Sequence, residues 1–444
     1  MPQINGTSHG TARTNSTHAP QTTTPAEAEG TGAHSADRFD ARVTNPFVPS
    51  VTAATVGEID GFNHIKTIIP DAEVRFDRLP MSGRSEHEPW SGYYWPKNKG
   101  GISYRWKTGE SHTYKSPSMV EVQTMPQSEL AKLSPAEKYD LFVGSYNYPL
   151  NEAMKSGNKA STPSWQGYCH GWTAASMAFK EPRAVVLENP DGVKIPFSSS
   201  DIKALLTYFQ GDVVQTTWGR TTHPFKVDVH TLGSVNGGGN ARDIRAYDLN
   251  PGTFHGMLGN RVGKGQSFGI DCDNGREKWN QPVHAYNAEL IEERAPSPGA
   301  SPHAVKEMVM RTDVTYALEI EPHDRPVSET GHQSNRTEQY QYTVELDANG
   351  EIVGGQWLLE SQGSRYTYHE VVDELERRGM DRREIAGAMP QYMRFPDYAF
   401  MTDAGQFAEE FRPAPSVYAF ISGDKRQLHS YFAKLSDIYE AATD

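Results

Sequence analysis

The chain has 444 residues, 43 Lys and Arg against 56 Asp and Glu for a net charge of −13, and two cysteines, Cys169 and Cys272. The basic residues form no cluster, which argues against nucleic-acid binding and against a polybasic membrane contact. Two cysteines outside any CxxC spacing exclude a disulfide-rich scaffold and argue against a structural zinc site, while 8 Trp, 21 Tyr and 17 Phe suffice for a sizeable core.

Residues 1–42 are rich in Thr, Ser, Gly, Ala, Pro and His and nearly lack bulky apolar side chains. Such a stretch cannot bury enough surface to offset its ordering entropy, so a disordered tail is expected. It has no charged-then-apolar pattern of a secretory signal, and no apolar run reaches the roughly 20 residues that span a bilayer. A soluble chain is expected, whose secretion would follow a route other than Sec. Residues 43–155 read as an N-terminal subdomain or pro-region. Within it, the aromatic run PWSGYYWPKNKGGISYRW (89–106) around Gly100-Gly101 predicts packed extended segments meeting at a turn. SPAEKYDLFVG (134–144) predicts a helix, with Ser134 and Glu137 as a capping box and Pro135 in its first turn.

Residues 156–444 form the expected catalytic unit. CHGWTAASMAFKEP (169–182) predicts a loop that runs into an Ala-rich helix ending before Pro182, and SSSDIKALLTYF (198–209) a second helix, with Ile202, Leu205, Leu206 and Phe209 on one face. A Gly-rich loop, GSVNGGGNARD, comes next. Strands are expected at QSFGID, EMVMRTDVTYALEI, QYQYTVELD and EIVGGQWLLES, the last two joined at Asn349-Gly350, a hairpin signal. HEVVDELERRGMDRREIAG predicts a late surface helix. Helices followed by mostly antiparallel strands make an α+β fold.

Cys169 stands immediately before the first of these helices. A thiol there feels the positive end of the helix dipole, which favours the thiolate, and unsatisfied N–H groups of the first turn can bind an oxyanion. Gly167 and Gly171 beside it are expected to leave room for a substrate backbone. A thiolate nucleophile needs a base and an orienting group. His255, in PGTFHGMLGNRVG, precedes the strand FGID that ends at Asp271. If the two segments pair, His255 and Asp271 meet across them. The order Cys on a helix, then His, then Asp on strands is that of papain-like and transglutaminase-like enzymes. His284 is the alternative base and Asp273 the alternative carboxylate. Cys272, flanked by both carboxylates, reads as a packing residue.

Several motifs carry a resemblance: CHGW at 169–172, FH at 254–255, FGID at 268–271, WNQPV at 279–283, with YYWPKNKGGISYRW, SPAEKYDL, DIKALL and VELDANGEIVGGQW. In this order they resemble the transglutaminase elicitor family of oomycetes and certain bacteria, over residues 89–360. WNQPV is similar to the core of the peptide that plant cells recognise in oomycete members. The resemblance implies a papain-like or transglutaminase-like core, with a nucleophile helix packed on a mostly antiparallel sheet. It implies protein-glutamine γ-glutamyltransferase activity, with a nucleophile at Cys169 and His255 and Asp271 as its most natural partners. A Cys169 thioester would pass to a lysine amine to give an isopeptide bond, or to water in a deamidase; a cysteine protease is a further alternative on the same scaffold. Trp165, Trp172 and Trp279 are candidates to wall the acceptor site against water. Partners would be proteins with accessible Gln and Lys. No cofactor is required by this chemistry, no HExxH motif suggests a metal, and calcium dependence stays open because no EF-hand loop is present. From another class, a non-catalytic elicitor or binding protein would present WNQPV as an exposed epitope.

Overall fold

A computed structural model describes residues 59, 64–217, 229–233, 249–272, 278–361, 364–367, 377–379, 395–396, 398–402 and 425–444. The expected N-terminal tail, the Gly-rich stretch after Gly233 and all but three residues of the expected late helix lie outside these. The helices are α1 (Met119–Thr124), α2 (Gln127–Leu130), α3 (Pro135–Phe142), α4 (Pro149–Gly157), α5 (Cys169–Ala178), α6 (Ser199–Thr217), α7 (Pro251–Asn260), α8 (Val327–Thr330) and α9 (Lys425–Thr443). None of the described helices is long and apolar enough to cross a membrane.

The strands are β1 (Ser82–Arg84), β2 (Val185–Glu188), β3 (Lys194–Phe197), β4 (Val229–Gly233), β5 (Phe268–Asp271), β6 (Asn280–Arg294), β7 (Lys306–Ala317), β8 (Asn335–Leu346), β9 (Ile352–Gly354), β10 (Leu358–Ser361), β11 (Ser364–Thr367) and β12 (Tyr398–Thr402). The main sheet runs β4-β12-β5-β6-β7-β8-β9, with β1 also on β6, and its pairings are antiparallel. The α+β class is therefore the observed one, with the helices of the first half packed on the strands of the second.

Local rules account for most elements. Ser134 and Glu137 form the reciprocal capping box of α3, with Pro135 at the first helical position. Ser198 caps α6, accepting from Asp201 N at 3.1 Å. The Asn349-Gly350 turn joins β8 to β9, with Asp347 Oδ1 accepting from Asn349 N at 2.9 Å. The aromatic run at 89–106 pairs at Gly92 with Glu319 and then passes through two 3-10 turns, Lys97–Lys99 and Gly101–Ser103. One expectation differs. The segment around His255 is the helix α7, capped by Asn250, whose side chain accepts from Gly252 N at 2.9 Å. Its glycines hide the helical tendency and are there for contact: a methyl on Gly252 would strike the Ile352 side chain at 2.8 Å and the Gly354 carbonyl.

Side-chain alternation splits the sheet into two faces. Phe268, Ile270, Val283, Met310, Val314 and Tyr342 pack with Phe254, Met257 and Leu258 of α7. The opposite face carries Asp271 and Asn280, opposite each other in register, and meets α5. A second apolar cluster joins Trp90, Tyr139 and Leu150 to Trp172 of α5 and Leu205 of α6. Residues on both sides of position 155 thus share one core with the helix that carries Cys169.

Gly171 has a role other than the one expected. A methyl there would meet the Thr207 carbonyl and lie 2.7 Å from the Gly211 backbone, so it sets the close approach of α5 and α6. Gly167 similarly abuts the Tyr94 ring and carbonyl. These glycines make room for the protein's own backbone rather than for a substrate. Gly171→Ala is expected to destabilise the fold by about 1–3 kcal/mol or more, read by denaturant unfolding. Unchanged stability would mean that the helices separate freely.

Candidate active site

Cys169 is the first residue of α5, and Tyr168 before it offers the first-turn N–H groups no side-chain acceptor. The loop is pinned from behind: Tyr168 N donates to Tyr94 O at 2.6 Å and Lys97 N to Gln166 O at 2.8 Å. The aromatic run at 93–97 is thus the scaffold of the nucleophile loop. The thiol is 4 % exposed and donates to Lys278 O at 3.3 Å. Asn280 Nδ2 donates to Sγ at 3.4 Å, and Tyr398 donates to Asn280 Oδ1 at 2.7 Å. Thr173, one turn along α5, donates to Asn280 O at 2.8 Å. Asn280 is fixed on three sides, and its amide points its N–H at sulfur.

Burial pushes the Cys169 thiol up to about 11, against the N–H donors of Asn280, while the charges of Glu319 and Asp271 push the same way as burial. The resting group is a thiol, so attack has to shed its proton in the same event. The reactive thiolate fraction then grows as pH rises toward that value. Alkylation of Cys169 by iodoacetamide should rise about tenfold per pH unit between pH 7 and 10, followed by mass spectrometry of the Cys169 peptide. A plateau by pH 8 would contradict it.

The structure brings Asp271 toward Cys169 but not His255. Asp271 Oδ1 accepts from Trp279 N at 2.8 Å, closing the β5-β6 hairpin, and its charge is felt at the thiol. His255 lies on the opposite face of the sheet. Its Nδ1 is 3.0 Å from the Tyr342 hydroxyl, its ring stacks on Phe76, and burial lowers it to about 4. Its Nε2 has no hydrogen-bond partner among the described residues. The expected meeting with Asp271 fails because the segment is a helix against the Phe268/Ile270 face, whereas Asp271 points the other way. His284 shares the face of Asn280 but stands four residues along β6. There it lies in the field of Glu88 and Arg84 with Asn335 in reach, its ring lowered chiefly by burial. No described residue hydrogen-bonds a histidine to Cys169. Asp273 lies outside the described residues.

Of the three tryptophans, Trp172 is wholly buried and its Nε1 donates to Trp90 O at 3.2 Å, a core role away from any substrate surface. Trp165 is half-buried, and Trp279 packs obliquely on Tyr94 with ring centres 5.6 Å apart. Residues 279–283 are buried throughout; 280–283 pair with β5, and Val283 also with β7. They form no exposed epitope in the folded chain.

Sequence reasoning missed Asn280, Glu319 and Tyr398. Asn280 sits in WNQPV, where an amide in an otherwise strand-like run was a usable signal. Glu319, a lone carboxylate in TYALEI, was another. Tyr398 arrives from a distant strand and had none.

A profile of the transglutaminase elicitor family matches residues 68–369. A comparison with curated proteins returns no match. Among solved structures, the chain is similar to the GP42 transglutaminase from Phytophthora sojae, at 21 % identity with a TM-score of 0.52. The match covers 82 % of this chain and 94 % of that one.

Proposed function

Because this chain belongs to the transglutaminase elicitor family, we propose that it is a protein-glutamine γ-glutamyltransferase acting through Cys169. The observation that carries this reading is the thiol at the start of α5 with Asn280 Nδ2 directed at sulfur. The Cys169 sulfur attacks the γ-carboxamide carbon of a protein glutamine. First-turn N–H groups of α5, left without a side-chain cap, receive the oxyanion. The thiol proton leaves on the departing ammonia, relayed by the Asp271 carboxylate, which lies opposite Asn280 in the β5-β6 register. His255 and His284 take no step. The thioester passes to a lysine amine, which forms the isopeptide bond and returns the thiol. An extracellular site of action, on other organisms' proteins, is part of the same proposal.

The test is incorporation of a labelled primary amine into casein, with ammonia release followed in parallel. Both signals together support the reading. Ammonia without amine incorporation makes the protein a glutamine deamidase. The absence of both signals overturns the reading.

A further inference from the structure

Glu319 follows β7, where Ile320 N donates to Gly92 O at 2.8 Å and ties the segment to the strand-like run that reaches Tyr94. Tyr94 in turn holds Tyr168, the residue before the nucleophile. Glu319 is 5 % exposed and Gln281 3 %. Gln281 Nε2 donates to Glu319 Oε2 at 2.7 Å. The other two acceptors of this pair, Glu319 Oε1 and Gln281 Oε1, have no hydrogen-bond partner among the described residues. No described lysine or arginine forms an ion pair with Glu319.

Two orphaned acceptors side by side in a buried place are costly, because each has given up water for nothing. No described side chain supplies the missing donor, and a carboxylate beside an amide oxygen suits a cation with several N–H groups. Glu319 is close enough to raise the Cys169 thiol and the Tyr94 hydroxyl through its charge. Gln281 directly follows Asn280, whose amide meets the sulfur on which a thioester would form, and the charge of Glu319 reaches that sulfur. Burial holds the Glu319 carboxyl up to about 7, so it accepts a proton readily near neutral pH.

Building on the transglutaminase reading, we infer that Glu319 and Gln281 form the acceptor subsite, which binds the ε-ammonium of the incoming lysine and takes one proton from it. The balance is simple. Glu319 as carboxylate removes one proton from R–NH3⁺ and becomes the acid. The free amine attacks the acyl carbon, and the C–S bond breaks. The second amine proton goes to the departing Cys169 sulfur, leaving an amide and a thiol. Glu319 then returns its proton to solvent. Tyr94 and Trp279, packed together beside the thiol's loop and hairpin, supply ring faces suited to an ammonium group.

The experiment compares wild type with Glu319→Gln, using butylamine as acceptor and a glutamine peptide as donor. The expected result is a KM for butylamine raised about 10- to 100-fold, with the ratio of amine incorporation to hydrolysis at fixed butylamine falling by a similar factor. A purely structural Glu319, buried as the neutral acid, would be replaced by Gln without a change in the ratio of amine incorporation to hydrolysis. That result overturns the inference. If Glu319→Gln does not fold, trimethylamine decides on wild type: it is cationic and carries one N–H but forms no stable amide. It should inhibit amine incorporation competitively against butylamine and leave ammonia release intact. Failure to inhibit overturns the inference. Absence of ammonia release in wild type sinks instead the transglutaminase reading on which the inference rests.

Discussion

Replacing Cys169 by alanine should remove amine incorporation and ammonia release by about 10⁴-fold or more, the scale on which loss of a covalent nucleophile is felt. The loss should come without unfolding. Sγ makes two long hydrogen bonds, to Lys278 O and from Asn280 Nδ2, and its deletion leaves only a small void. The stability cost should stay near about 1–2 kcal/mol. Thermal melting measured on the same samples separates the two effects. Cys169→Ser is the companion variant: a hydroxyl keeps both contacts but remains protonated far above neutral pH, so activity should vanish while stability is retained. Activity surviving in the alanine variant would place the chemistry elsewhere.

The second large effect concerns the fold. Lys138 Nζ and Asp201 Oδ2 pair at 2.6 Å with side chains 1 % and 0 % exposed. Asp201 also accepts from Ser198 N at 2.8 Å and from Trp106 Nε1 at 3.0 Å, so one carboxylate joins α3, α6 and the aromatic run. Asp201→Asn would keep much of the shape but leave a buried ammonium uncompensated. The expected cost is about 3–5 kcal/mol, a large part of a typical stability of roughly 5–15 kcal/mol. Burial already lowers the Lys138 pKa against its partner. With Asp201 neutralised, the folded-state pKa falls further below the unfolded value. The penalty is then greatest at low pH and shrinks as pH rises through the folded pKa and the lysine sheds its proton. Denaturant unfolding at pH 6 and pH 9 should show the smaller deficit at pH 9. Replacing both residues together by Met and Leu should restore most of the loss. An equal deficit at both pH values would argue against an uncompensated charge.

Much of this was legible beforehand where the cause is local. The α3 capping box, the Ala-rich helix that follows the Cys169 motif and the Asn349-Gly350 hairpin follow from residues within a few positions of one another. The site was less legible because its partners meet through sheet register. Asp271 and Asn280 are opposite one another only because β5 pairs with β6 as it does. The helix α7 was hidden by glycines whose reason is contact with β9, and once it is a helix His255 belongs to the other face. The acceptor pair Gln281 and Glu319 joins residues 38 positions apart, which no local pattern announces.

The burial of residues 279–283 has a consequence for detection. A receptor or antibody specific for the linear peptide WNQPV would be blind to the native protein, since its target lies in an inner strand between β5 and β7. It would respond to chains that have been cleaved or heat-treated. In a mixture, such a reagent would therefore count the damaged population, and its signal would rise as the folded fraction falls.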